Sequence, residues 1–386
     1  HKMKKRIIII LTYILVFFNS NLLSNENNKA LKIGLLAPLS GEYKSLGESL
    51  LYSLQLALEE IDDKNVTIIP RDSGFGDKDK LESAIKEIKS LGANIIIGPI
   101  NNNDFKEVQK FNDIVFISLS NINPEFQNNV ISIGVSLESQ MIALIDFIKK
   151  RKKNKTVILI PKNQYTNFIE KKLIKFNLKN FKIFKYNPDP KILTGEIEIL
   201  TNYSQRKRNL ELRKKIYEDK EDEQSKRQLE KLEQKYTLGK VNFDSVIIID
   251  FGNSLKSVLT SLVFTDVDQE EVLFTTVNQW FDESIFYENT VKSLYYPSVN
   301  YREFKKYKDK YFMRFKNYPS EITILAYDAL GLIYYTWKKN GKINSVNDFS
   351  FKGKIKGKIG TFSFKDKVTI QDLSIYKTED NKFTKF

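Results

Sequence analysis

The 386-residue sequence contains no cysteine. That absence removes disulfides, thiolate nucleophiles, thiolate-held zinc and a lipid-modified cysteine together. Histidine is nearly as scarce, with His1 the single example, so imidazole acid–base chemistry and histidine-ligated metal have no candidates in the body of the chain. Phosphate loops are missing too. Ser73-Gly74-Phe75-Gly76-Asp77 has neither the G-x-G-x-x-G spacing nor a lysine–hydroxyl pair and reads as a loop after a strand. The carboxylate pairs Asp62-Asp63, Asp266 with Asp268, and Glu270-Glu271 read as helix ends and solvated turns, not as acid–base dyads. No enzyme, cofactor or metal is expected from this inventory.

What is abundant is lysine and apolar residues. Lys and Arg number 62 against 48 Asp and Glu, giving a formal charge of +14 and a pI near 9.3. The basic residues are spread and interleaved with acids, whereas a nucleic-acid footprint needs them on one face, so no nucleic-acid partner is expected. Hydrophobic residues make up 41% and aromatics 12%, enough for packed cores, and the length exceeds what one core usually serves. Two α/β lobes are expected.

The amino end looks like an export signal. Met3-Lys4-Lys5-Arg6 is followed by the apolar run Ile7 to Phe18, the length of a secretory h-region and short of the about 20 residues of a membrane span. Residues 1–24 are expected to be a cleaved signal peptide and the protein to be periplasmic, with no membrane contact after cleavage.

Beyond the leader, short β-branched runs alternate with amphipathic stripes. Strands are expected at Ile33 to Ala37, Val66 to Ile69, Ile95 to Ile97, Ile114 to Ile117, Val130 to Ile133, Val157 to Ile160, Ile183 to Tyr186, Val246 to Ile249 and Val272 to Thr275. Leu50, Leu54, Ala57, Leu58 and Ile61, then Leu81, Ala84, Ile85 and Ile88, repeat at helical spacing, as do Met141, Leu144, Ile145 and Ile148. Ser45 with Glu48 has the capping-box pattern. Strands joined by helices this closely imply parallel sheets. Near the end, Gly357 to Phe364 and Thr369 to Tyr376 alternate around Lys365-Asp366-Lys367 as an antiparallel hairpin. Residues 204–236 are dense in charge and read as a solvated helical insertion held by charge pairs, or as an arm for docking a partner.

In open α/β sheets ligands bind beyond the carboxyl ends of strands. Here those ends carry Pro38 to Tyr43, Asp72 to Gly74, Gly98 to Asn103 and Ser118 to Pro124. Hydroxyls and amides dominate them, which suits holding a small polar guest and is poor equipment for breaking a bond.

Lys32 to Gly41, Asp72-Ser73, Ile97-Gly98-Pro99, Ile117 to Asn121, Gln140 and Ala326-Tyr327-Asp328-Ala329 together resemble the type I periplasmic binding proteins of the leucine/isoleucine/valine-binding family. The resemblance runs in order through nearly the whole chain after the leader. It implies two Rossmann-like lobes, 29–135 with 278–345 and 138–275 with 351–386, closing by hinge motion on a small polar ligand, an amino acid in many relatives, that is handed to an ABC importer. Crossovers would lie near 134–137, 276–279 and 345–351. A ligand carboxylate would meet Asn102 and the loop of Ser120, Asn121 and Ile122, with Tyr165 supplying an aromatic wall. Ser40, Tyr43, Asn101, Asn278 and Trp280 complete the implied site. Two departures stand out. Ile122 occupies the place of a threonine, and Leu137 the place of the acid that holds a ligand ammonium, with Glu138 one residue on as its substitute. Gly134 to Gln140, the charged insertion and Phe274 to Trp280 also resemble penicillin-binding-protein activators, which implies a peptidoglycan synthase as the alternative partner.

Overall fold

A computed structural model describes residues 30–120, 128–279, 291–351, 354–357, 360–365, 368–379 and 382–385. Its first sheet is built from β1 (Leu31–Ala37), β2 (Val66–Asp72), β3 (Ile95–Ile97), β4 (Val115–Ser118) and β5 (Val130–Ser132), all parallel, in the order β5-β4-β3-β1-β2. The helices α1 (Lys44–Ile61), α2 (Lys78–Ser90) and α3 (Phe105–Val108) carry the chain across between strands. Along β1 the side chains alternate between two cores. Ile33, Leu35 and Ala37 join one and Leu36 the other, because successive strand residues face opposite sides of the sheet. The stripe Leu81, Ala84, Ile85 and Ile88 of α2 is buried throughout, as its spacing requires.

The second sheet follows α4 (Leu137–Lys150). It holds β6 (Thr156–Pro161), β7 (Phe181–Tyr186), β8 (Ser245–Ile248), β9 (Leu273–Thr276) and β10 (Leu294–Ser298) in the parallel order β10-β9-β8-β6-β7. The helices α5 (Thr166–Ile174), α6 (Pro190–Leu200), α7 (Tyr203–Glu218), α8 (Glu223–Glu233) and α9 (Gly252–Phe264) connect it. Val157 and Leu159 enter one core, Ile158 and Ile160 the other. The expected pair of α/β lobes is thus present.

The crossings differ from the sequence reading in two of three places. The first falls between β5 and α4, as expected. The chain does not leave the second lobe at 276–279, however, because Leu294–Ser298 returns beside β9 as a parallel strand with Tyr295 opposite Thr275. The second crossing is therefore at 298–301, ahead of α10 (Tyr301–Phe315) and α11 (Ile322–Asn340), and α11 packs into the first lobe with Ile324, Leu325 and Ile333 in the core of β1. Three further strands also stay with the first lobe. There β11 (Lys354–Gly357), β12 (Gly360–Lys365) and β13 (Val368–Gln371) extend the first sheet, β13 running parallel to β5. The third crossing comes at 371–374, after which β14 (Ser374–Glu379) and β15 (Lys382–Lys385) add antiparallel strands beside β10. The expected C-terminal hairpin exists as β12 and β13, but its second arm ends at Gln371 where the chain changes sheets. Both sheets are consequently parallel at the centre and antiparallel at one edge.

Two smaller expectations also change. Helix α1 begins at Lys44, before Ser45, and its Tyr43 cap makes no side-chain bond; the Lys44 N–H donates to the Gly41 carbonyl at 3.2 Å. The charged segment forms the helical pair α7 and α8, but its attachment is not a lattice of charge pairs. The ion pair within it joins Glu211 and Lys214 at 3.6 Å, and exposed pairs of that kind contribute little. What seats it is Arg206. This side chain is buried and donates to the carbonyls of Thr265 (2.9 Å) and Gly239 (3.2 Å) and to the Thr237 hydroxyl (2.9 Å). These partners precede β8 and β9, so the pair of helices sits at the amino-terminal ends of the second sheet. Arg206→Ala strands buried acceptors without donors and is expected to cost about 2–4 kcal/mol, read as a lower urea midpoint. Lys207→Ala on the exposed side is expected to leave the midpoint unchanged.

Candidate functional site

All three crossings occur at one end of the parallel strands. β5 and β10 exit from their carboxyl ends, and β13 runs parallel to β5 and hands over to β14 at the carboxyl end of β10, where Ser298 faces Ser374. The connectivity therefore turns the carboxyl-end loops of the two sheets toward each other, the position at which α/β folds hold ligands.

Most of the polar groups at the crossings are buried and almost all are paired. Ser136 caps α4 by accepting from the Ser139 N–H at 3.1 Å, and the Ser139 hydroxyl oxygen accepts from the Gln371 N–H at 2.9 Å. Gln140 donates to the Val135 carbonyl at 3.1 Å and accepts from the Asn278 N–H at 2.8 Å. The Asn278 amide in turn donates to the Pro297 carbonyl and to Glu321, both at 3.2 Å, and the Ser298 hydroxyl donates to the same Glu321 oxygen. Glu321 caps α11, in the first lobe, whereas Asn278 and Ser298 end strands of the second. One carboxylate oxygen thus joins the two lobes.

At the first lobe's rim, Asp72 organises the loop after β1. It accepts from the Leu39 N–H (3.0 Å), the Gly74 N–H (3.1 Å), the Ser40 hydroxyl and the Lys80 ammonium (2.6 Å). Burial works against its charge, but these donors together hold its carboxyl well below the usual range. Ser40 also accepts from Lys80 at 3.0 Å, so it acts as a brace for the loop. Tyr43 stacks on Phe75 with ring centres 4.1 Å apart. Asn101 accepts from the Asn103 N–H at 3.1 Å and turns the chain, which leaves Asn102 with a buried amide oxygen that receives no hydrogen bond. Ser120 is buried, its N–H donating to the Ser118 hydroxyl at 3.2 Å.

Asp104, behind Asn102, is 5% exposed and accepts from the Gly76 N–H at 3.3 Å. Burial, opposed by that N–H and reinforced by the nearby Glu107 and Asp77 carboxylates, pushes its carboxyl up to about 6.

In the second lobe, Tyr165 precedes α5 and lines a cavity of about 30 Å³ with Gln140, Asn163, Phe168, Asp250 and Val277. That is room for a water molecule and no more. Asp250 is buried and burial raises its carboxyl, yet it accepts from the Tyr186 hydroxyl, the Ser254 hydroxyl (2.5 Å) and the Phe251 N–H (2.8 Å). Glu138 lies half-buried in the first turn of α4, beside the crossing network.

Of the sequence-derived site residues, Ser40, Tyr43, Asn101, Asn102 and Ser120 gather at the rim of the first lobe, Glu138 and Asn278 at the crossings, and Tyr165 at the rim of the second. Asn121, Ile122 and Trp280 lie outside the described residues. Asp104, Asp250, Glu321 and Gln371 were not anticipated. Asp250 follows β8 and could have been found by the carboxyl-end rule, while Glu321 gives no local signal because its partners lie some 20 to 40 residues upstream. Among the described residues no group of three acidic or histidine side chains could hold a metal ion, and no helix is long and apolar enough to cross a membrane.

Residues 30–168 match the periplasmic binding protein family. Among solved structures, an ABC transporter substrate-binding protein from Desulfitobacterium hafniense, in complex with Leu, aligns with a TM-score of 0.65 at 14% identity, covering 92% of this chain and 99% of that one. The branched-chain amino acid transporter substrate-binding protein of Streptococcus pneumoniae, in complex with isoleucine, gives 0.58 at 16% identity over 93% and 100%. A solute-binding protein of an ABC transporter from Rhodopseudomonas palustris, in complex with 3,4-dihydroxybenzoic acid, gives 0.62 at 13% identity over 92% and 96%. No curated protein matches the sequence. The chain has the type I periplasmic binding protein fold.

Asp104 supplies a pH test of the rim. Its folded value lies above the ordinary value of about 4, so its contribution to stability is complete below that pH and is lost as the pH rises through about 6. Asp104→Asn, which keeps an acceptor for Gly76 and cannot ionise, is expected to melt with the parent near pH 4 and above it near pH 8. An unchanging gap across that range contradicts the assignment.

Proposed function

We propose that this protein is a periplasmic solute-binding protein that closes its two lobes on a small polar ligand and delivers it to an ABC importer. The observation that carries this reading is the placement of all three crossings at the carboxyl ends of both sheets, with hydroxyl and amide side chains on the rims and a single shared carboxylate across the hinge. Such an arrangement lets two rigid lobes rotate about a few residues while each keeps its own core. The unmatched Asn102 amide calls for a polar group on the guest. The amide oxygen accepts a donor, and with the amide turned the group donates to a carboxylate. In the second case the loop ending at Ser120 supplies further N–H groups and Glu138 takes an ammonium, which describes an amino acid. Aromatic carboxylic acids are the competing class, with Tyr43 and Tyr165 as walls.

The ligand class is read by thermal shift and calorimetry of purified protein against amino acids and hydroxylated benzoic acids. A specific, saturable shift from one class supports the proposal, and Asn102→Ala is expected to weaken that ligand by about tenfold or more. Silence across the panel counts against solute capture.

The hinge makes a separate prediction. Glu321→Ala removes the acceptor shared by Ser298 and Asn278 and loosens the crossing, so a smaller fraction of molecules is closure-competent. Apparent affinity is expected to fall about tenfold, with Glu321→Gln, which keeps an acceptor, falling less. Equal affinities in parent and Glu321→Ala contradict a hinge role.

A further inference from the structure

Helix α10 faces two ways. Tyr307 and Tyr311 are buried in the first lobe, and the carboxylates of Glu60 and Glu59 on α1 pair with Lys310 and Arg314, the latter at 2.9 Å. The other side is built differently. From Tyr301 to Tyr318 the sequence YREFKKYKDKYFMRFKNY holds seven cations against two acids. Three cations are engaged in ion pairs, Lys310, Arg314 and Lys306, the last with Glu303 at 3.1 Å. Among the described residues, Arg302, Lys305, Lys308 and Lys316 have no carboxylate partner.

Apolar groups stand among those free cations. Met313 is 74% exposed and Tyr318 is 62% exposed, and Tyr318 stacks on the exposed Phe312 with ring centres 4.6 Å apart. The Lys308 ammonium lies over the Tyr318 ring at 4.8 Å. Arg302, Lys305, Phe312 and Met313 recur at steps that place them on one side of the helix, opposite Tyr307 and Tyr311, with the exposed Asp309 among them and Lys316 at the cap just beyond.

We propose that this face of α10 docks on an anionic phospholipid surface. The combination is that of an interfacial helix, in which cations meet lipid phosphates and thioether and aromatic groups enter the headgroup layer. Long lysine stems let the charge stay at the phosphates while Met313 goes deeper. The shape also argues for lipid. The face is a convex helix ridge, which a flat fluid surface accepts and which a protein partner could cover only with a matching groove. Because α10 belongs to the first lobe and packs on α1, such docking leaves the second lobe free to move at the crossings. The inference does not depend on the identity of the solute.

The test is co-sedimentation of the purified chain with vesicles of phosphatidylcholine alone and of phosphatidylcholine mixed with phosphatidylglycerol. Binding is expected only to the anionic vesicles and to weaken between about 0.1 M and 0.5 M salt. The variant Lys305→Glu, Lys308→Glu, Lys316→Glu is expected to lose at least about 100-fold in partition with an unchanged melting temperature. Met313→Ser with Tyr318→Ser is expected to lose the salt-resistant part of the binding. A control of equal charge change on the helical pair of the second lobe, Lys207→Glu, Lys215→Glu, Lys226→Glu, is expected to bind within about twofold of the parent. Absence of binding to anionic vesicles, or a control that loses as much as the α10 variant, overturns the proposal. The first result would leave an acidic protein as the occupant and the second would reduce the effect to net charge.

Discussion

The hydrogen bonds that Ser298 and Asn278 give to one oxygen of Glu321 are the constraint on which the arrangement of the lobes depends. Each lobe has its own pair of cores, one on either face of its sheet. What the cores do not determine is how the lobes stand to one another. That is left to backbone crossings and to a buried polar network in which Ser139 accepts from the Gln371 N–H across the lobes, while Gln140 and the Gln371 amide brace the crossing within each lobe. Hydrogen bonds suit such a place better than apolar packing. They are directional, and a carboxylate that accepts two of them can exchange one for water at small net cost, whereas opening an apolar interface exposes its whole area.

Rigidity surrounds this pliable centre. Asp72 gathers two backbone N–H groups, a hydroxyl and an ammonium, and so fixes the loop after β1 against that after β2. Gly134, in the first crossing, lies against the Ser120 carbonyl so closely that a Cβ there would fall 1.7 Å from the oxygen, which ties the loop after β4 to the hinge itself. Asp104 and Asp250 are buried carboxyls on opposite lobes, each raised by burial, but they differ in company. Asp250 has three donors around it, while Asp104 has one N–H and two like charges nearby. The rim of the first lobe is accordingly the more sensitive to proton concentration.

Much of the fold was legible because its signals are local. Runs such as Ile95 to Ile97 and stripes such as Leu81, Ala84, Ile85 and Ile88 state their own period, and a parallel order follows from helices between strands. The crossings were less legible because they depend on which strand a segment pairs with. Leu294–Ser298 contains a proline and two tyrosines and does not announce a central strand, yet it lies between β9 and β14. Likewise nothing in Val368 to Gln371 says that it will pair with β5, some 230 residues earlier, before the chain steps into the other sheet at Ser374. The rim residues after β1, β3 and β4 could be named from the carboxyl-end rule. Glu321 could not, since a glutamate before a helix looks like any other cap until its distant partners are known. The insertion misled in another way. Its composition suggested charge pairs, while a buried arginine, indistinguishable in sequence from its exposed neighbours, holds it down together with the buried Leu210 and Leu232.

The two lobes thus offer three surfaces with different physics: rims that suit a small polar guest, a helical pair tethered at the far end of the second sheet, and a basic, aromatic ridge on the first lobe. The account stands or falls on relative motion of the lobes. Since the chain has no cysteine, Asn103→Cys and Asn163→Cys place spin labels on exposed positions of the two rims without any further change. Pulsed electron double resonance between them measures the gap directly. The account predicts a broad or divided distance distribution that sharpens and shortens when the ligand identified by titration is added. One narrow distance, the same with and without that ligand, would contradict it.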